Sequence, residues 1–100
     1  MRITPEQINT ILATIGAQVG AGASVVLFGS RMRDNARGGD IDLLVESTHT
    51  LSLMQQARLK LALEDLLQIP VDIVTKQKDV EPKPFQAIAL MTGVPLGITQ

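Results

Sequence analysis

The sequence predicts an α/β (α+β) fold, a small mixed β-sheet with helices packed on one face and the other face partly open. Segments with helical spacing of apolar residues alternate with short runs rich in Val, Ile and Leu. Hydrophobic residues make up 45% of the chain and only two residues are aromatic, so we expect an aliphatic core. With 100 residues, positions 1–100 are expected to form a single domain.

The first half of the chain is expected to contain one helix and two strands. Thr4 is a suitable N-cap, because Pro5 follows at the first helical position and Gln7 can close a capping box. Apolar residues at helical spacing continue this helix to the glycines near position 20. Strands are predicted at 24–28 and 40–46, where short runs of mostly branched apolar residues occur.

The second half is expected to add a helix at 51–67, a strand at 71–75 and a final helix. The final helix begins at Pro82 or Pro84, since proline is favoured in the first helical turn. Its apolar residues are expected to face the core. These residues are Phe85, Ile88 and Met91.

Three aspartates interrupt the apolar strands. Asp40 and Asp42 stand two residues apart, so in a strand they point to the same face at about 6.5–7 Å from each other. Like charges that close raise each other's pKa, and a divalent cation relieves their repulsion. Asp72 adds a third carboxylate in the strand at 71–75, which gives the ligands of a site for two Mg²⁺ ions. The alternative is that each aspartate is a solvated strand-end residue.

The turn after the first strand, Gly29-Ser30, is a candidate phosphate site, because backbone N–H groups at a glycine turn can bind an anion. Arg31 follows directly and can pair bidentately with phosphate oxygens, although arginines in exposed loops are often merely solvated. Lys76, which follows the strand at 71–75, is expected to be a surface residue. Metal ligands beside a phosphate site favour phosphoryl or nucleotidyl transfer.

The pair of motifs Gly29-Ser30 and Asp40-Ile41-Asp42 resembles the GS…DxD signature of the DNA polymerase β-like nucleotidyltransferases. Asp72 lies where that superfamily has its third carboxylate, although Gly39 stands where many members carry serine. The short chain and the run at 37–45 are more narrowly similar to the minimal nucleotidyltransferase (MNT) group, which implies a nucleotidyltransferase-like fold. The resemblance implies two sets of site residues. Asp40, Asp42 and Asp72 would be catalytic and bind Mg²⁺ (two ions), and Gly29, Ser30 and Arg31 would bind the nucleotide.

The same resemblance implies a function. MNT proteins are commonly antitoxins that transfer AMP to a tyrosine of a HEPN-domain ribonuclease. This chain is therefore expected to bind ATP or another nucleoside triphosphate and to transfer NMP, with AMP as the expected case, to a HEPN-type toxin partner. Two alternatives stay open: an inactive module that inhibits its partner by binding alone, and transfer to a small molecule or an RNA 3′ end. Homo- and hetero-oligomers are both compatible with the sequence.

Composition argues against several other classes of protein. A net charge of −1 gives no basic surface for an extended nucleic acid, which disfavours a polymerase on long templates. The absence of cysteine excludes a disulfide framework and a thiolate zinc site. We expect no membrane span, because no apolar run approaches 18 residues, and we expect no signal peptide in the first residues, which gives a cytoplasmic location as the expectation.

Overall fold

The computed structural model describes residues 3–29 and 40–100. Within them the elements follow the order α1 (Pro5–Val19), β1 (Ser24–Phe28), β2 (Ile41–Ser47), α2 (Leu53–Leu67), β3 (Val71–Gln77), α3 (Pro84–Thr92) and β4 (Val94–Ile98). Each helix and strand predicted from the sequence is present close to its expected bounds. The last strand, β4, was not predicted.

Capping boxes begin both long helices. The Thr4 hydroxyl accepts a hydrogen bond from the Gln7 N–H at 3.1 Å, and the Gln7 side chain accepts one from the Thr4 N–H at 2.9 Å. Ser52 and Gln55 form the same arrangement at the start of α2. Each such cap stabilises a helix by about 1 kcal/mol. The predicted role of Thr4 is therefore confirmed.

The four strands form one mixed sheet in the order β3-β2-β1-β4. β1 is antiparallel to both of its neighbours, and β2 runs parallel to β3. A parallel pair needs a crossover connection, and α2 supplies it between β2 and β3. The predicted small mixed sheet is confirmed. No helix among the described residues is long and apolar enough to cross a membrane.

α1 and α2 cover one face of the sheet, as predicted. Residues at alternate positions of the strands join them in the main core cluster. The largest fully buried members of this cluster are Ile11, Ile15, Leu27, Ile41, Leu43, Leu59 and Leu63. α3 departs from the one-sided arrangement, because Ala89 packs on Val26 and Leu44, which point to the opposite face.

The prediction that α3 buries its large apolar residues is wrong. Phe85 is 58% exposed, and Ile88 and Met91 are more exposed still. Ala89 is the buried residue, because a small side chain lets the helix lie close to the sheet. The helix then ends at Gly93, where a Cβ would lie only 2.8 Å from the Leu27 carbonyl oxygen. The small residues Ala89 and Gly93 allow this close approach of the backbone, and they therefore decide which side of α3 faces the sheet.

Candidate active site

The parallel pairing of β2 with β3 arranges three cross-strand pairs on the sheet face that α3 shares. Because alternate residues of a strand point to the same side, every second pair belongs to this face. We call these pairs the carboxylate rung, the apolar rung and the ion-pair rung. They are Asp42 with Asp72, Leu44 with Val74, and Glu46 with Lys76.

The carboxylate rung brings two of the three predicted site carboxylates together. Burial raises the pKa of the Asp42 carboxyl, and the charges of Asp72 and Asp40 raise that pKa further. A hydrogen bond donated by the protonated Asp42 carboxyl to Asp72 acts in the same direction. Asp72 is exposed, and Asp40 lies exposed one residue before β2. Negative charge is therefore concentrated at one end of the β2–β3 pair.

Gly29 packs directly against this rung. It follows the last residue of β1 and has φ of +82°, in the left-handed region that favours glycine. A Cβ at Gly29 would overlap the Asp42 carboxylate oxygen Oδ2 and would lie 3.1 Å from its Cγ. Gly29 of the glycine turn and Asp42 of the aspartate motif are thus in contact. The other two predicted nucleotide-binding residues, Ser30 and Arg31, lie outside the described residues.

Lys60 of α2 is a neighbour of the site that was not predicted from the sequence. Its ammonium nitrogen lies 3.7 Å from an Asp72 carboxylate oxygen and 3.1 Å from Glu64, and it donates a hydrogen bond to the Val71 carbonyl. The hydrogen bond to Glu64 is the main cause that raises the pKa of Lys60. Glu64 in turn accepts the Val71 N–H, which lowers the pKa of that carboxyl. The one sequence signal was the i,i+4 Lys–Glu pair near the end of the helix that precedes β3.

The ion-pair rung corrects the expectation that Lys76 is a surface residue. Its side chain is only 5% exposed, and its ammonium lies 3.2 Å from a Glu46 carboxylate oxygen. It also donates a hydrogen bond to the Gln77 carbonyl at 2.9 Å. A buried ammonium needs such partners, and the register of β2 with β3 supplies Glu46 directly beside it.

The donor groups at the carboxylate rung suit a divalent cation. Within residues 3–29 and 40–100, no three His, Cys, Asp or Glu side chains already converge closely enough to hold a metal ion. Mg²⁺, however, needs only one or two protein carboxylates, and it completes its shell with water and phosphate oxygens. Asp42 and Asp72 provide two carboxylates side by side, and the space beside Gly29 would be filled by any Cβ. The residues present therefore fit Mg²⁺.

Comparison with known proteins defines the class. The model of the nucleotidyltransferase domain family matches residues 6–95, so the chain belongs to this family. A solved structure of a candidate minimal nucleotidyltransferase is 36% identical in sequence. It superposes with a TM-score of 0.69 over 90% of this chain and 89% of that chain. The nucleotidyltransferase-like fold and the resemblance to the minimal group are both confirmed.

Other similar proteins either match a shorter part of this chain or have a lower sequence identity. Two candidate protein adenylyltransferases of Methanocaldococcus jannaschii are each 39% identical over 54 residues, which is 53% of this chain. The match spans about half, 55%, of the length of these curated relatives. A structure of a tri-AMPylated HEPN toxin of Shewanella oneidensis in complex with an MNT antitoxin also matches. At 23% identity and a TM-score of 0.73, over 95% of this chain and 72% of that one, it shows a shared fold.

Proposed function

We propose that this protein transfers a nucleoside monophosphate, AMP from ATP, to an acceptor hydroxyl in an Mg²⁺-dependent reaction. One observation carries the proposal: the carboxylate rung lies in contact with the Gly29 turn. Carboxylates that bind metal and a backbone turn that admits phosphate are the two parts that nucleotidyl transfer needs. Membership of the nucleotidyltransferase family supports the same chemistry.

In this proposal the three carboxylates bind metal, and one of them also acts as a base. Asp42 and Asp72, together with Asp40, would hold two Mg²⁺ ions. When bound, these ions neutralise phosphate charge and favour departure of pyrophosphate. The acceptor oxygen forms a bond to the α-phosphorus while the bond to the bridging oxygen breaks, and pyrophosphate leaves with that electron pair. In this proposal the exposed carboxylate of Asp72 would also accept the proton of the attacking hydroxyl.

Gly29, Ser30 and Arg31 bind the triphosphate in this proposal. Gly29 lets the backbone approach the phosphates, because no side chain occupies the space next to Asp42. Arg31 would add a charge-assisted bidentate contact to a phosphate. Positioning and charge neutralisation then supply most of the rate, since phosphoryl transfer needs little covalent chemistry from the protein.

We propose a tyrosine of a HEPN-type toxin as the acceptor, which would make this protein an antitoxin. The structural relative from Shewanella oneidensis is an MNT antitoxin bound to an AMPylated HEPN toxin, and the curated relatives are described as candidate protein adenylyltransferases. The exposure of Asp72 leaves room for a side chain of another protein to reach the site. A nucleoside triphosphate substrate is consistent with a cytoplasmic location.

Co-expression with a HEPN-domain partner tests the proposal, with AMP addition to the partner measured by intact mass and by mapping of the modified tyrosine. We expect Asp42→Asn to reduce AMP transfer at least about a hundredfold, because a ligand of the charge-neutralising centre is lost. Asp65→Asn, at an exposed carboxylate of α2, is the matched control and should leave transfer unchanged. Equal transfer by wild type and Asp42→Asn would contradict the proposal. Inhibition of the partner without any AMP transfer would favour the inactive binding module.

A further inference from the structure

The two aromatic residues of the chain lie against each other beside the carboxylate rung. Phe28 and Phe85 come from β1 and α3, and their ring centroids are 5.6 Å apart with the ring planes at 78°. This edge-to-face arrangement is a favourable one for aromatic pairs. In the register of β1 with β2, Phe28 is directly opposite Asp42. The aromatic pair is therefore a lateral neighbour of the candidate metal and phosphate site.

The two rings differ in their surroundings. Phe28 is partly buried and packs against the small cluster of Val26, Leu44 and Ala89 under α3. Phe85 is 58% exposed, and it belongs to the first turn of α3, which begins at Pro84. The buried ring thus supports the exposed ring from one side. An exposed aromatic ring that is held in place offers a binding surface at little cost in conformational entropy.

The chain direction connects this ring to the phosphates. Gly29 directly follows Phe28 in the chain, so the backbone that would contact the phosphates is adjacent to one member of the aromatic pair. A nucleotide whose phosphates lie at Gly29 and Asp42 must place its sugar and base beyond them. Among the described residues, Asp42 has an apolar neighbour on the β1 side, which is the pair of Phe28 with Phe85. On the β3 side its neighbour is Asp72, which lies near Lys60.

We propose that Phe85 forms a nucleobase subsite, in which its exposed ring stacks on the base of the nucleoside triphosphate and Phe28 holds the ring in position. This inference rests on the proposed function, because it takes the phosphates to lie at Gly29. Stacking is possible with every nucleobase, since each has a π-face, and it becomes stronger as the ring system of the base becomes larger. The subsite therefore favours purine over pyrimidine triphosphates and does not by itself distinguish adenine from guanine.

Calorimetric titration with two ligands separates the base from the phosphates. The ligands are ATP and ribose 5′-triphosphate, both with Mg²⁺, which share the triphosphate and the ribose but differ in the base. Wild type should bind ATP about tenfold more tightly than ribose 5′-triphosphate, the scale of one base–aromatic stack. Phe85→Ala should remove this preference and leave the affinity for ribose 5′-triphosphate unchanged. Met91→Ala, at an 84% exposed residue of the same helix, is the control and should alter neither affinity.

Each outcome of this titration is informative. Equal binding of the two ligands by wild type, or an equal loss of both in Phe85→Ala, would overturn the base subsite. If neither ligand binds wild type, the proposed function itself fails.

Phe85→Trp keeps the inference testable if Phe85→Ala does not fold, because the larger ring should retain or increase the preference for ATP. Nuclear Overhauser effects between the adenine H8 proton and phenylalanine ring protons give a direct signature of stacking. Because the chain has two phenylalanines, the spectrum of one Phe85 variant assigns the ring signals of both. Absence of that signal in the wild-type complex, or a Phe85→Trp protein without the preference, would also overturn the subsite.

Discussion

The carboxylate rung and the ion-pair rung lie on the same face of the same two strands, but the first pairs two like charges and the second pairs two opposite charges. At the ion-pair rung, Glu46 and Lys76 neutralise each other 3.2 Å apart with little exposure to solvent. At the carboxylate rung, Asp42 and Asp72 are of like charge, and their proximity contributes to the raised pKa of Asp42. The apolar rung separates the two and packs beneath α3.

The two rungs therefore differ in their effect on the stability of the fold. An opposite pair compensates the burial of its charges, so it is compatible with a stable fold. A like pair opposes folding unless something positive binds there. Lys60 supplies a partial counter-charge from the side, at 3.7 Å from Asp72. Among the described residues, the carboxylate rung is thus the less compensated of the two, and it is the better candidate for a site whose ligand brings positive charge.

Lys76→Met should have the largest effect on stability. Loss of the ammonium removes the ion-pair partner that Lys76 gives to the partly buried Glu46, which costs about 3 kcal/mol of unfolding free energy. Urea denaturation measures this cost. The control is Lys78→Met, at an exposed lysine two residues further on, which should change stability by less than about 0.5 kcal/mol. Equal stability of the two variants would show that the ion-pair rung does not stabilise the fold.

Gly29→Ala should combine a moderate loss of stability with a loss of ligand binding. The left-handed backbone costs an L-residue about 1–2 kcal/mol, and the new Cβ displaces the Asp42 carboxylate. Gly22→Ala is a matched control, because Gly22 has φ of +86° but open space around its Cβ position. Both variants should lose similar stability in thermal melts, and only Gly29→Ala should bind Mg²⁺-ATP more weakly in calorimetry. A similar loss of affinity in both would refute the contact as a phosphate site.

The pH dependence of stability should distinguish wild type from Asp42→Asn in Mg²⁺-free solution. Because the pKa of Asp42 is raised in the folded state, the group favours folding below its ordinary value of 3.8. That contribution is lost as the pH rises through the folded-state pKa. The stability of Asp42→Asn relative to wild type should therefore increase from about pH 3 to pH 7, as followed by urea denaturation across this range.

The lowered pKa of Glu64 acts in the opposite direction, with stability lost on acidification, but it is present in both proteins and cancels in the difference. A difference between wild type and Asp42→Asn that stays constant or shrinks with rising pH would contradict the raised pKa of Asp42.

Lys60→Met should have the smallest effect. The pair with Asp72 is solvent-exposed, so its removal should cost less than about 1 kcal/mol, and less at high salt than at low salt. Thermal melts at two salt concentrations measure this effect. Arg58→Met, at an exposed residue of the same helix, should show no such salt-dependent change. A salt-independent cost in Lys60→Met would assign its role to packing and to the hydrogen bond with Val71.

The sequence predicted those features that depend on local pattern. Thr4 begins α1 because capping chemistry is local, and the short apolar run at 40–46 correctly predicted β2. β4 escaped prediction because Pro95 and Gly97 weaken the signal of a strand, and at the edge of a sheet both are tolerated.

Features that depend on tertiary contacts could not be read from the sequence. The burial of Lys76 follows from its register with Glu46, which lies 30 positions earlier in the chain. The sheet-facing side of α3 follows from the close approach at Ala89 and Gly93. The meeting of Phe28 with Phe85 requires both the β1–β2 register and the position of α3. Local propensity carries no information on these distances.

Thermal melts of wild type and Asp42→Asn, each with and without Mg²⁺-ATP, test most directly whether the carboxylate rung is a nucleotide and metal site. Ligand at one hundred times its dissociation constant adds about 2.7 kcal/mol of stability, which for a protein this small raises the melting temperature by about 10 °C or more. Wild type should show this shift. Asp42→Asn should melt above wild type without ligand, because one of two repelling charges is gone, and should lose most of the shift. An Asp42→Asn protein that melts below wild type and keeps the full ligand shift would contradict the account.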